Sequence, residues 1–238
     1  MTSLPRLYLL DVEGTVAPIS FVYERLFPYA RQYLRSFLDL HVKEPAVQAD
    51  LRLLAEESRS ESDKECPAFG VETANIGPAV AYLLWLMDRD RKSTALKSLQ
   101  GKIWKAGFES GELKGELFAD VPAAFERWSK SARVAIYSSG SVEAQRLLFR
   151  YSTYGDLTPY ISAYFDTRTG PKTDGASYAA IAAAMQVAPA EAIFFSDVLR
   201  ELDPAREAGF STRLVVRKGN APVEDAHGHS PTSSFDGC

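Results

Sequence analysis

The segment Arg6–Ser20, RLYLLDVEGTVAPIS, runs an apolar stretch, Leu7–Leu10, directly into Asp11, Glu13, Gly14 and Thr15. A short unbroken apolar run bounded by turn formers is the pattern of a strand buried on both faces, and such strands belong to parallel sheets covered by helices. The carboxylates that follow have two readings. They form a solvated turn or helix cap, or one of them reacts while its neighbour moves the proton. The rest of the chain decides between them.

Apolar runs of the same kind recur at Val134–Tyr137, Tyr164–Phe165, Ala192–Phe195 and Leu214–Val216, and helical patterns over Ser141–Tyr151, Ala176–Met185 and Arg200–Ala208 lie between the later ones. Alternation of strand and helix predicts an α/β fold with a doubly wound parallel sheet and right-handed crossovers. The interval from Phe21 to Asp120 has helical periodicity and no convincing strand, with helices expected over Phe21–Leu40, Ala46–Glu57, Ala74–Asp90 and Ser93–Phe108 and a kink or break at Pro28. That is too much helix for a connection. Residues 1–20 and 119–238 are therefore expected to form the core domain, and residues 21–118 an inserted all-helical domain. Within the insert, Glu57–Gly70 reads as an exposed polar loop. The tail Lys218–Cys238 is rich in turn formers and reads as partly disordered.

Composition narrows the function. Against 31 acidic residues stand 27 basic ones, a net charge of −4, so there is no positive excess to hold a nucleic-acid backbone. No apolar run approaches the roughly 20 residues that cross a bilayer, and the N-terminal residues lack the pattern of a secretory signal. Cys66 and Cys238 lie far apart, which disfavours a disulfide framework and fits a cytoplasmic location. His41, His227 and His229 form no convincing metal pattern. Nothing in the chain demands an interface, and a monomer is expected.

In a doubly wound sheet ligands bind beyond the carboxyl ends of the strands, so polar residues that directly follow strands converge. Asp11 and Glu13 follow the first strand, Ser138, Ser139 and Gly140 the second, and Ser196 and Asp197 the fourth; Lys172 opens the helix after the third. Each alone is commonplace turn, cap or surface chemistry. Together, in this order, they supply what phosphoryl transfer needs: a carboxylate nucleophile in Asp11, a proton carrier in Glu13, an anion site at Ser138 and Ser139, a positive charge at Lys172 and a hard oxygen ligand in Asp197. Gly14 permits the tight turn between them.

This set resembles the haloacid dehalogenase superfamily of phosphatases, whose core carries an Asp-x-Asp loop, a Ser/Thr, a Lys and a late acidic motif in this chain order. Glu13 stands where most members have the second Asp. The stretch LLDVEGTVAPISFVYERLFPYAR resembles the enolase-phosphatases of methionine salvage, in which Glu is the expected residue, and DRKSTALKSLQGKIW (Asp90–Trp104), FADVP (Phe118–Pro122), YSSGSVEAQRLLF (Tyr137–Phe149) and SDVLREL (Ser196–Leu202) are similar to the same branch. The resemblance implies one Mg2+ per chain with Asp11, Glu13 and Asp197 at the metal, Glu13 through its backbone carbonyl. It implies Asp11 and Glu13 as catalytic residues and Ser138, Ser139 and Lys172 as substrate-binding ones. It also implies that 2,3-diketo-5-methylthiopentyl 1-phosphate is enolised and then dephosphorylated to the acireductone 1,2-dihydroxy-3-keto-5-methylthiopentene, the inserted helices acting as a cap. Trp85, Trp104, Phe108, Lys97 and Gln100 are then candidates for the non-phosphate end. A general small-metabolite phosphatase, a phosphate-binding protein without turnover, and a metal-independent dehalogenase share the fold and stay open at this point.

Overall fold

A computed structural model describes residues 4–69 and 75–238. Its sheet has six strands, β1 (Leu7–Leu10), β2 (Arg133–Tyr137), β3 (Ala163–Phe165), β4 (Ala192–Ser196), β5 (Ser211–Val215) and β6 (Ser230–Thr232), in the order β3-β2-β1-β4-β5-β6. Every pairing is parallel, and β1 lies centrally between β2 and β4. The strand chemistry explains this position: Leu7, Leu9 and Leu10 are all 0% exposed, as an apolar strand must be when helices cover both faces.

The period-2 alternation of β1 sorts its residues between two cores. Leu7 and Leu9 pack with Tyr137, Phe194 and Tyr178, the last from helix α7 (Gly175–Ala184). On the opposite face Tyr8 stacks on Trp128 of helix α5 (Val121–Ser129) at 4.4 Å, and Trp128 also meets Phe195 and Phe235. Helices α6 (Val142–Arg150) and α8 (Leu199–Glu207) complete the crossovers.

The chain divides into two compact units, Met1–Val22 with Leu113–Cys238, and Tyr23–Glu112. Residues 113–118, assigned to the insert on sequence, belong with the sheet unit. Gly115 exchanges backbone hydrogen bonds with Tyr151 and Thr153, and Phe118 N–H donates to Val16 at 3.0 Å. Gly115 has to be glycine, because a Cβ there would lie 2.1 Å from the Leu148 carbonyl oxygen.

The second unit is built from α1 (Phe27–His41), α2 (Pro45–Ser58), α3 (Gly77–Asp88) and α4 (Thr94–Ser110) around a core that includes Leu34, Leu38, Leu54, Leu83 and Leu99. The break expected at Pro28 takes a definite form: a π-helical turn over Phe21–Leu26 hands over to α1, and Pro28 sits in the first turn of α1. Proline has no N–H to donate one turn back, so the ladder changes register there and resumes where a missing donor costs nothing. The expected start of α3 at Ala74 lies outside the described residues.

The tail departs from expectation. It carries β6 and then Phe235, which is 0% exposed and packs edge-on against Phe195 and Trp128. Its composition is that of a loop, but a few long-range anchors order it: Arg127 donates to the Phe235 carbonyl at 2.6 Å and Trp128 Nε1 to the Cys238 carbonyl at 3.2 Å. Both cysteines are free. Among the described residues no helix is long and apolar enough to cross a membrane.

Candidate active site

Asp11 stands one residue beyond β1, 4% exposed, its N–H bonded to the Phe195 carbonyl of β4 at 2.9 Å. The sheet thus fixes its backbone. Its carboxylate is fixed by Lys172, whose ammonium lies 2.5 Å from Asp11 Oδ1 and 2.5 Å from Glu201 Oε2. Lys172 is placed in the turn before α7 rather than at the first position of that helix, and Tyr178 of α7 donates its hydroxyl to the Lys172 and Glu201 carbonyls. Ser196, the last residue of β4, donates to Glu201 at 3.1 Å and reaches Asp11 Oδ2 at 3.5 Å.

Glu13 lies across from β2. Ser138 Oγ donates to Glu13 Oε2 at 3.3 Å and accepts the Gly140 N–H at 3.0 Å. Ser139 is exposed at the same junction, and Ser141 caps α6 by accepting the Ala144 N–H. Gln145, 3% exposed, donates to the Gly140 and Phe165 carbonyls and so ties this loop to the end of β3. Gly14 adopts φ +76°, and a Cβ on it would lie 2.3 Å from Asp197 Oδ2. Only glycine lets the Asp11 turn press against the Asp197 carboxylate.

The electrostatics are those of crowded carboxylates sharing one cation. Burial, and then the charge of Asp11, raise Glu13 and Glu201 above the ordinary carboxylate range. The same causes push Asp197 up to about 7. Burial works against the Lys172 ammonium, but Asp11 and Glu201 outweigh it and hold its pKa above the usual lysine value. Perturbed titratable groups gathered at one crevice make it a candidate acid/base site.

Among the described residues no group of His, Cys, Asp and Glu side chains suffices to hold an ion unaided. The residues nonetheless suit magnesium, which takes hard oxygens from few protein groups and keeps waters. Asp197 Oδ1 is buried without a hydrogen-bond partner, beside an anionic neighbour in Asp11 that raises its pKa. A divalent cation would satisfy both conditions. His227 and His229, by contrast, are occupied structurally: both bond to Asp203 at 3.0 Å, and His229 also contacts Thr212.

Sequence reasoning passed over Glu201. The signal was there, a carboxylate four residues after Asp197 at the start of α8, the spacing that brings both to one side of a strand-to-helix junction. Asn220 had no such signal; its side chain reaches the Gly14 carbonyl from the far end of the chain. In the helical unit Trp85 and Phe108 are buried in packing and Gln100 is 9% exposed. Trp104 is half-buried with its indole N–H on the Leu26 carbonyl, and Lys97 is exposed.

Residues 5–209 match the family model of haloacid dehalogenase-like hydrolases, the class that this sheet and its carboxylate–lysine site define. Phosphatases of that class are generally Mg2+-dependent. A curated relative from Synechococcus elongatus, Enolase-phosphatase E1, is 56% identical over 217 residues, 91% of this chain and 90% of that protein. The Leptospira borgpetersenii protein of the same name is 44% identical over 232 residues, covering 97% and 96%. The crystal structure of the Unknown transcript 4 protein of Saccharomyces cerevisiae superposes with a TM-score of 0.81 at 36% identity, over 98% of this chain and 99% of that one. The chain belongs to the enolase-phosphatase family of haloacid dehalogenase-like hydrolases.

Proposed function

We infer that this chain enolises 2,3-diketo-5-methylthiopentyl 1-phosphate and then removes its phosphate, the paired activity of methionine salvage, acting as a cytoplasmic monomer. The observation that carries the reading is the Asp11 carboxylate, fixed 2.5 Å from a buried Lys172 at the end of the central strand, with Glu13 two residues on and bonded to Ser138 across the crevice.

Asp11 attacks phosphorus, and the bond from phosphorus to the substrate oxygen breaks as the aspartyl phosphate forms. Glu13, its pKa raised by burial and by the charge of Asp11, is placed to give a proton to the departing oxygen. The resulting Glu13 carboxylate then takes a proton from water as that water attacks the aspartyl phosphate, which releases inorganic phosphate and restores Asp11. Lys172 offsets the negative charge gathered on Asp11 and the phosphoryl oxygens, while Ser138 and Ser139 bind those oxygens. Asp11, Asp197 and the Glu13 backbone carbonyl would hold one Mg2+, which when bound neutralises phosphate charge and polarises the phosphoryl group. Enolisation, the net transfer of a proton from the carbon beside a ketone to that ketone's oxygen as the double bond shifts from C=O to C=C, precedes the phosphoryl transfer.

Following the diketo phosphate by phosphorus and proton NMR tests both steps. The expected course is an enol phosphate that appears first and inorganic phosphate that follows, both requiring Mg2+. Asp11→Asn should release no phosphate. Normal turnover in that variant would end the aspartyl-phosphate mechanism, and comparable kcat/KM for unrelated sugar phosphates would replace the substrate assignment with a general phosphatase.

A further inference from the structure

The Asp11 turn is short of local support. Thr15, Val16 and Ala17 all direct their N–H groups at the single Val12 carbonyl, and Gly14 N–H bonds to Ala17 at 2.8 Å. The outward carbonyls of Gly14 and Thr15 find their donors elsewhere, more than 200 residues along the chain. Asn220 Nδ2 donates to the Gly14 carbonyl at 2.9 Å and to Val215, the last residue of β5, at 3.4 Å. Arg217 Nε donates to the Thr15 carbonyl at 3.2 Å, and its Nη1 to Asp120 at 2.9 Å and to the Ser233 carbonyl at 2.8 Å.

These ties differ in kind. Arg217 is 8% exposed, with its guanidinium between Phe118 and Phe235 at 4.5 Å from each ring, so its loss would disturb a core. Asn220 is only partly buried, and its side-chain amide donates to two backbone carbonyls, one on the turn and one on the sheet. Its amide orientation follows from that: both facing groups are acceptors, so the nitrogen must point at them. Gly14 is thereby held at both ends, N–H and C=O, in a conformation that glycine leaves free to vary.

We propose that Asn220 is a positioning residue for the Asp11–Thr15 turn, locking the Gly14 peptide so that the Glu13 backbone carbonyl and the Asp197 carboxylate keep the spacing an ion requires. The proposal rests on the reading of that turn as the phosphoryl-transfer centre. Its physical basis is the juxtaposition at Gly14. Rotation about this residue swings the Glu13 carbonyl on one side, and on the other moves the atoms packed against Asp197, where a Cβ would already clash. A partner that orients a ligating group without touching the ion typically contributes 10- to 100-fold in metal affinity.

Asn220→Asp replaces the donor by an acceptor of the same shape, and Asn220→Ala removes it. In the metal-free proteins, hydrogen exchange at the amides of Gly14–Ala17 should accelerate about tenfold or more while Leu9 and Leu10 stay protected. Calorimetric titration with Mg2+ alone should show Kd raised roughly tenfold in both variants. A variant that unfolds at a lower temperature but keeps wild-type exchange in the turn and wild-type Mg2+ affinity overturns the proposal, since that is what a merely structural asparagine would give. If one variant does not fold, the other carries the test. Neither readout involves substrate, so failure of the enolase-phosphatase reading shows separately, as a wild-type protein that releases no phosphate from the diketo phosphate.

Discussion

Lys172 is the positive group that every carboxylate of the centre leans on, yet it is 9% exposed and paid for by two ion pairs rather than by water. Lys172→Met keeps the stem length between the rings of Tyr137 and Phe194 and removes only the charge. Asp11 and Glu201 would then face each other uncompensated in a buried site, and breaking such a pair costs about 3–5 kcal/mol. Urea unfolding of the metal-free variant should show a loss on that scale, and Mg2+ should restore more stability to the variant than it adds to the wild type. Equal Mg2+ increments would show that ion and ammonium do not share the same charge. Glu13 raises a subtler point, why the carboxylate is one methylene longer than the usual Asp. Its Oε2 just reaches Ser138 at 3.3 Å, a contact that Glu13→Asp would lose. With the proton carrier drawn back, kcat for phosphate release should fall roughly 100-fold or more, the range in which a positioned acid operates. Unchanged kinetics would make the extra reach irrelevant.

Elements were legible where their chemistry is local. β1 reads correctly from LYLL because four apolar residues followed by a carboxylate leave a buried strand few alternatives. Helix α4 reads equally well: Ser93 accepts the Leu96 N–H at 2.9 Å, and its hydroxyl donates to Glu57, which also takes the Thr94 N–H. Ser93→Ala should therefore cost about 1 kcal/mol in thermal unfolding, a cap's usual contribution. A shift within measurement error would mean that Glu57 alone satisfies the first turn. What was not legible is what only the assembled sheet supplies. The apolar run Leu214–Val216 announces only the end of β5; the strand begins at Ser211, and its polar first half, Ser211, Thr212 and Arg213, is recruited by pairing with Ile193, Phe194 and Phe195 of β4. The same limit applies to the site. Asp11, Glu13 and Lys172 follow strands and could be proposed from order alone. Asn220 matters only because β5 ends beside the Asp11 turn, a distance that sequence does not carry.

At the scale of the molecule, the C-terminal segment is where composition misleads most, because a polar turn-rich stretch is ordered by hydrogen bonds to α8. Asp203 of α8 holds both histidines of the tail, and Arg206 bonds to Asp203 at 2.8 Å and to the His227 carbonyl at 2.6 Å. The hydrogen bond from His227 is the main cause that pulls the Asp203 carboxyl below its ordinary value, with burial opposing and His229 assisting. The sign of the consequence is fixed. A carboxylate whose folded pKa lies below its unfolded one binds fewer protons when folded, so it contributes stability that is complete above the unfolded value and lost as pH falls through the folded one. The window therefore lies at and below the ordinary Asp pKa of about 4. Asp203→Asn removes the titrating group and keeps the shape. Asp166 and Glu191 are also held low, but they titrate alike in both proteins and cancel in the difference. Unfolding free energies measured from neutral pH down to about pH 3 should show the wild type ahead of Asp203→Asn at neutrality, and the gap closing as the carboxylate protonates below about pH 4. Parallel curves would mean that the tail is held by Phe235 and β6 without help from this charge, whereas a gap that widens toward acid would reverse the sign and place the stabilising species on protonated Asp203.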